Sequence, residues 1–279
     1  MMLKNFGQME QFVREQSGKK RVALAAAHDA DALGSLMMAV DRGIAEAILI
    51  GRRKEIVRVL DEMGKDAGDF RIIEEEDDRA AADKAVELVH RGEADMPMKG
   101  LMHTSTFMKA ILDKEKGLKE DGNLLSQASV FEIPEKDRFL IISDCAVNID
   151  PDLETKIKIT ENAAALAHTL GIEQPKIAVL SAVEVVNPKI RSTVDAAAMR
   201  ERLSDRYLID GPLALDNAID EAAAHHKGIE SPVAGNADIL IVPDLWSGNI
   251  FSKGLVFFAH LRSAGTLNGL KAPVVMSSR

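Results

Sequence analysis

The sequence predicts an α/β protein built as two lobes, each a mostly parallel sheet with helices on both faces. Three observations carry this. Short apolar runs of strand length alternate along the chain with longer segments of helical 3,4 spacing, the rhythm of βαβ units. One charged, glycine-containing stretch, LDKEKGLKEDGNLLSQ (112–127), interrupts that rhythm and reads as a crossover between lobes. No internal repeat of 20–50 residues and no low-complexity tract competes with this reading.

Taken in order, the N-terminal segment is helical in spacing, with Phe6, Met9, Phe12 and Val13 on one face. The runs VALAAA (22–27), AEAILIG (45–51), FRII (70–73) and ADMPM (94–98) read as buried strands. Between them DADALGSLMMAVDRG, RKEIVRVLDEMG and DRAAADKAVELVHRG read as helices, with Asp29 and Asp77 or Asp78 placed to cap and Gly43, Gly64 and Gly92 placed to stop them. Past the crossover, VFEI and RFLIISD are close enough to be neighbouring or antiparallel strands. The alternation then resumes: strands at KIAVLS (176–181), YLIDG (207–211) and ADILIVP (237–243), with helices near 153–171, 192–203, 213–227 and 248–262. The last apolar run, APVVMSS, reads as a strand that returns to the first lobe. The expected lobes are therefore 1–125, rejoined by 270–279, and 126–269.

Composition narrows the function. At 279 residues and 46% hydrophobic content the chain is long enough for sizeable cores without disulfide or metal staples. A single cysteine, Cys145, excludes an intrachain disulfide and a cysteine-based metal framework, and a reducing, cytoplasmic compartment is the expectation. The net charge of −9 opposes a general nucleic-acid surface, though not a local site for a small anion. The N-terminus lacks the apolar stretch of a secretory signal, and no apolar run reaches the roughly 20 residues of a membrane helix.

Ligands of open α/β sheets sit outside the carboxyl ends of the strands, so the loops after each strand carry the chemistry. Four stand out: MKGLMHTST, LIDGPLALD, VPDLWSGN and the terminal MSSR. Lys99 and Gly100 followed by Thr104 put an ammonium, an unhindered backbone and a hydroxyl near one helix N-terminus, where free amides favour phosphate. Ser247, Gly248 and Asn249 repeat the pattern before a helix carrying Lys253. Ordinary capping explains any one such loop as well as a ligand does. Asp210, Gly211 and Pro212 with Asp216 read as a tight turn into a helix, more often structural than catalytic. The first strand runs into HDADALGSL, without a dinucleotide fingerprint, and no phosphate-loop motif occurs. The seven histidines show no metal-binding spacing; His225 and His226 read as solvated residues at a helix end. Cys145, at a strand end with no histidine fixed beside it, reads as a small buried hydrophobe rather than a nucleophile.

Several segments in order resemble the phosphate acetyl/butyryltransferase family: AAADKAVELVHRGEAD with MKGLMHTSTFMKAILDKEKGL, NIDPDLETKIKITENAAALAHTLGI, LSAVEVVNPKIRSTVDAAAM, DGPLALDNAI, SPVAGNADILIVPDLWSGNIFSKGL and GLKAPVVMSSR. The resemblance implies two α/β lobes in the architecture shared with isocitrate and isopropylmalate dehydrogenases, and a homodimer. It implies the reversible reaction of acyl-CoA with inorganic phosphate to give acyl phosphate and CoA, with butyryl-CoA preferred and no metal or prosthetic group. The family's reactive Ser-Arg pair falls on Ser278 and Arg279. Composition alone reads such an arginine as a solvated chain end.

Departures from the family pattern are Gln127, where histidine is common, and Trp246, where a smaller or acidic residue is common. They bear on the acyl chain more than on the reaction. Relatives also continue past the arginine into a short stretch and a final helix; the sequence read here runs to Arg279. Three alternatives stay open at this point: an acetyl-preferring transferase, a metal- and NAD-dependent dehydrogenase of the same architecture, and an inactive CoA-binding relative.

Overall fold

The computed structural model describes residues 1–276 apart from Ser17 and Asp121. The chain divides into two compact units, one of residues 10–123 with 270–279, the other of residues 1–9 with 124–269.

The first unit is a four-stranded sheet ordered β3-β2-β1-β4, parallel throughout. Its strands are β1 (Lys20–Ala25), β2 (Ala45–Gly51), β3 (Arg71–Glu74) and β4 (Met96–Lys99). Helix α1 (Phe6–Glu15) precedes β1 and carries the division between the units, and α2 (Ala30–Asp41), α3 (Arg53–Glu62) and α4 (Asp78–His90) make the crossovers. Helix α5 (Thr104–Ile111) follows β4. Alternation along β1 sends Val22 and Leu24 into one core with Leu33 and Leu36 of α2 and Ile56 and Leu60 of α3, while α4 packs on the opposite face. The caps expected at Asp29 and Asp77 are present: Asp29 accepts from the Asp31 amide (3.3 Å) and Asp77 from the Ala80 amide (2.8 Å). At the opposite end of the sheet Asp95 accepts from the Arg21 amide (2.7 Å) and from its guanidinium (3.2 Å). These hydrogen bonds hold the Asp95 carboxyl below its ordinary value of 3.8. The contact therefore stabilises the fold above that pH and fades as pH falls through the lower folded value.

The second unit is a six-stranded sheet ordered β10-β5-β6-β9-β7-β8. Strands β5 (Ser126–Ile133) and β6 (Arg138–Ser143) pair antiparallel, as their close spacing predicts. Helix α6 (Leu153–Thr169) leads to β7 (Lys176–Leu180), and α7 (Arg191–Leu203) to β8 (Leu208–Leu213). Short helices α8 (Leu215–Ile219) and α9 (Glu221–His226) precede β9 (Ile239–Ile241); α10 (Leu245–Phe257) and the edge strand β10 (Ser263–Asn268) complete the unit. Strands β6, β9, β7 and β8 are parallel, whereas β10 is antiparallel to β5. One face packs on α6 and α7, the other on α8 and α10.

Four sequence expectations differ in detail. Residues 1–9, expected in the first lobe, belong to the six-stranded unit because Leu3 is buried there. Its amide donates to Leu170 O (2.9 Å), and the Phe6 ring lies 5.1 Å from that of Phe139. The expected helix over 213–227 is two helices, broken at Asp220, whose extended backbone lets it cap α9 through the Ala223 amide (2.8 Å). The helix expected near 248–262 runs earlier, Leu245–Phe257. In the expected last strand, among the described residues, only Val275 bridges to β4, donating to Pro97 O and accepting from the Lys99 amide (3.0 and 2.9 Å). Pro273, two residues earlier, has no amide to extend that ladder.

Candidate functional site

In the four-stranded sheet the chain leaves β1 for β2 on one side and returns to β4 on the other. Crossovers therefore diverge between the carboxyl ends of β1 and β4, the switch point where open α/β sheets bind ligands. Two loops meet there, residues 26–29 and 100–103. They are stapled together: the Gly100 amide donates to Ala25 O (2.8 Å) and the Leu101 amide to Ala26 O (3.0 Å). Glycine is required at 100, since a Cβ there would lie 2.2 Å from Ala26 O.

Lys99, the last residue of β4, is buried, and its ammonium donates to the carbonyls of Gly100 (3.2 Å) and Met102 (3.1 Å). It braces the loop and brings a positive charge under it. Thr104 is exposed and opens α5. The side chain of the preceding cap residue, His103, accepts no hydrogen bond from the first-turn amides. The three residues singled out here thus come together as an ammonium, a close-approach backbone and an uncapped helix start.

The joint before α10 looks alike in sequence and is built differently. Helix α10 begins at Leu245, and its cap Asp244 accepts from the Ser247 amide (2.8 Å) and the Ser247 hydroxyl (2.9 Å). Gly248 is already inside the helix, its amide on Asp244 O (3.2 Å), and a Cβ there would meet Asp144 O at 2.5 Å. Asn249 donates to Cys145 O (3.1 Å), and Lys253 is exposed farther along the helix. A carboxylate of the protein therefore stands at the positive end of this helix, beside Gly248 and Asn249.

Asp210, Gly211 and Pro212 lie inside β8 rather than in a turn. Asp210 accepts from the Gly211 amide (2.8 Å) and from Arg200 (3.2 Å). Gly211 lets β8 approach β7, where a Cβ would sit 2.8 Å from Val179 O. Asp216 is exposed on α8, 3.8 Å from Lys227. Asp144, at the end of β6, is a buried carboxylate absorbed by the amides of Ala146 (2.8 Å) and Val147 (2.9 Å) and by the Asn148 side chain (2.6 Å). Burial pushes the Cys145 thiol up to about 12, which keeps it protonated and inert. Gln127 is half-buried on β5, donating to Ser129 (3.0 Å). Ser278 and Arg279 lie outside the described residues. Among the described residues, no three His, Cys, Asp or Glu side chains are grouped to hold a metal ion, and no helix is long and apolar enough to cross a membrane.

His28, which in sequence shows no metal-binding spacing, is buried in the loop after β1, with its Nδ1 without a hydrogen-bond partner.

The family model for phosphate acetyl/butaryl transferase matches residues 77–279, and so spans the loops at Lys99 and α10 and the terminal Ser-Arg pair. The chain belongs to this family. It is 46% identical to a phosphate butyryltransferase of Clostridium acetobutylicum, over 100% of this chain and 93% of that protein. It is 42% identical to a phosphate acetyltransferase of Thermotoga maritima, over 97% of this chain and 93% of that one. Among solved structures, a branched-chain phosphotransacylase from Enterococcus faecalis V583 superposes with a TM-score of 0.82 at 34% identity, covering 93% of this chain and 92% of the other.

Proposed function

We propose that this protein is a phosphate acyltransferase that converts a short-chain acyl-CoA and inorganic phosphate to acyl phosphate and CoA, with butyryl-CoA preferred. The observation that carries it is the full-length 46% identity to the clostridial phosphate butyryltransferase. A phosphate oxygen attacks the thioester carbonyl, giving a tetrahedral centre with an oxyanion. The C–S bond then breaks and CoA leaves as thiolate. No acyl-enzyme is needed, and the buried Cys145 thiol is unsuited to forming one. Phosphate is received on the platform of Lys99, Gly100 and Thr104. Arg279 clamps phosphate or the oxyanion with its planar fork, and Ser278 donates to the same oxygens. Holding two anionic substrates in attack geometry supplies much of the acceleration.

The reaction so drawn needs no metal or prosthetic group, and the setting is the cytoplasm. The enzyme works as a homodimer, whose interface takes the exposed apolar stripe of Trp246, Ile250 and Phe257 on α10, which carries no acidic residue. Sedimentation of Ile250→Glu, expected as a monomer beside a dimeric parent, tests that surface.

The decisive assay is phosphate-dependent thiol release from acetyl-, propionyl- and butyryl-CoA, with and without a chelator. Absence of release with all three overturns the proposal, and chelator-sensitive release overturns its metal independence. Arg279→Gln should keep the fold and CoA affinity and lose about 100- to 1,000-fold in turnover. Arg279→Lys should recover only part, since an ammonium lacks the fork. Near-normal turnover in Arg279→Gln would move the reacting centre elsewhere.

A further inference from the structure

Two contacts on the chain that returns after β10 clasp the segment carrying the proposed phosphate platform. Residues 99–118 hold Lys99, Gly100, Thr104 and the whole of α5. Where that segment begins, the Lys99 amide donates to Val275 O (2.9 Å). Where it ends, the Lys271 amide donates to Leu118 O (2.8 Å), and Leu118 in turn donates its amide to Ile111 O (2.7 Å) at the last residue of α5. The stretch from Lys271 to Val275 therefore closes across the platform segment from one end to the other. Its second anchor is the tighter one. Val275 also donates to Pro97 O (3.0 Å), its side chain packs against the core of β1, α2 and α3, and its neighbour Val274 is buried.

Among the described residues, no other residue of the returning chain pairs with β4. A single bridge adds little to the sheet, but a residue bonded through both its amide and its carbonyl fixes register. A slip of one residue along β4 would move everything downstream by about 3.3 Å. Ser278 and Arg279 follow Val275 by three and four residues. Four residues of chain reach at most about 14 Å, so the register at Val275 governs how the pair can meet the Lys99 loop. Acyl transfer is sensitive to this, since a misplacement of about 1 Å can cost about a hundredfold in rate.

We infer that Val275 is a positioning residue for the acyl transfer, its two hydrogen bonds to β4 setting the register and length of the tether that brings Ser278 and Arg279 to the Lys99 platform. The inference deepens the acyltransferase reading and rests on it for the roles of Lys99 and Arg279. Val275 acts through Arg279 and not on the reacting atoms.

Two changes to the full chain test it. One alanine inserted between Val275 and Met276 leaves both hydrogen bonds to β4 in place and lengthens the tether by about 3.3 Å. Val275→Pro removes the amide that donates to Pro97 O. In the thiol-release assay each should lower turnover about tenfold to a hundredfold, with the KM for butyryl-CoA near the parental value. Urea unfolding of the insertion variant should match the parent. Placed on Arg279→Gln, either change should cost less than about twofold beyond Arg279→Gln alone, because the tether then has no fork to position. Parental turnover in the insertion variant overturns the assignment, as do losses that multiply with that of Arg279→Gln; the acyltransferase reading stands in both cases. If Val275→Pro fails to fold, the insertion variant decides alone. If the parent releases no thiol from any acyl-CoA, that reading fails, and calorimetry with inorganic phosphate as the probe decides Val275. The insertion and Arg279→Gln should each weaken phosphate binding about tenfold, and no further when combined. Undiminished binding in the insertion variant, or a parent that binds no phosphate, overturns the assignment.

Discussion

The starts of α5 and α10 are written almost alike, each with a glycine, a hydroxyl side chain and a lysine around a strand-to-helix joint, yet they differ in what stands at the positive end of the helix. At α10 the carboxylate of Asp244 accepts from the Ser247 amide and hydroxyl. At α5 the cap residue is His103, which makes no such bond, and the buried Lys99 ammonium lies on the carbonyls of the same loop. Both glycines are demanded by backbone, with a Cβ 2.2 Å from Ala26 O at Gly100 and 2.5 Å from Asp144 O at Gly248. Glycine and lysine therefore mark a tightly packed joint in either case. The cap residue decides whether the helix dipole is spent on the protein's own carboxylate or kept for an anion.

The largest effect should come from the joint itself. Gly100→Ala forces apart the two loops that Ala25 O and Ala26 O hold together, since two carbonyl oxygens lie within 2.6 Å of the new Cβ. Overpacking against backbone at this distance should cost about 3 kcal/mol of stability, read by urea unfolding, and phosphate-dependent turnover should fall with it. A variant with parental stability and turnover would mean that the loops separate freely and are no platform.

How much of this was legible beforehand follows from how local each feature is. The caps at Asp29 and Asp77 were readable because capping is decided within three residues. The antiparallel β5–β6 pair was readable because a short link leaves little choice. Asp210-Gly211-Pro212 misled because these residue types favour turns, yet β8 is an edge strand. There a proline without an amide is tolerated, and the glycine serves a close approach to Val179. Gly248 misled because the two residues upstream of the apparent motif, Leu245 and Trp246, already begin the helix under Asp244. The placement of residues 1–9 with the second unit depends on Leu3 and Phe6 meeting residues more than 130 positions away, which no window sees.

A smaller effect should follow from removing the cap that distinguishes α10. Asp244→Ala leaves the first-turn amides of α10 without their acceptor and should lower stability by about 1 kcal/mol. The KM for phosphate should not move, because the proposed anion seat is at α5. A fall or rise in that KM with CoA affinity unchanged would break the contrast and return Gly248 and Asn249 to the phosphate site.

The smallest change is the most pointed, because it writes the α10 cap onto α5. His103 already has the extended cap backbone, φ −62° and ψ 137°, so an aspartate there needs no rearrangement to reach the first-turn amides. His103→Asp should therefore stabilise the protein by about 0.5 kcal/mol, through a new capping bond and a negative charge at the positive helix end. The same carboxylate would stand at the proposed phosphate seat and repel the anion. Stability and affinity should thus move in opposite directions, with the phosphate KM rising about two- to tenfold while the KM for acyl-CoA stays near the parental value. A gain in stability with no change in phosphate KM would show that the α5 start is only an unfinished cap, and the two helix starts would then differ in structure without differing in function.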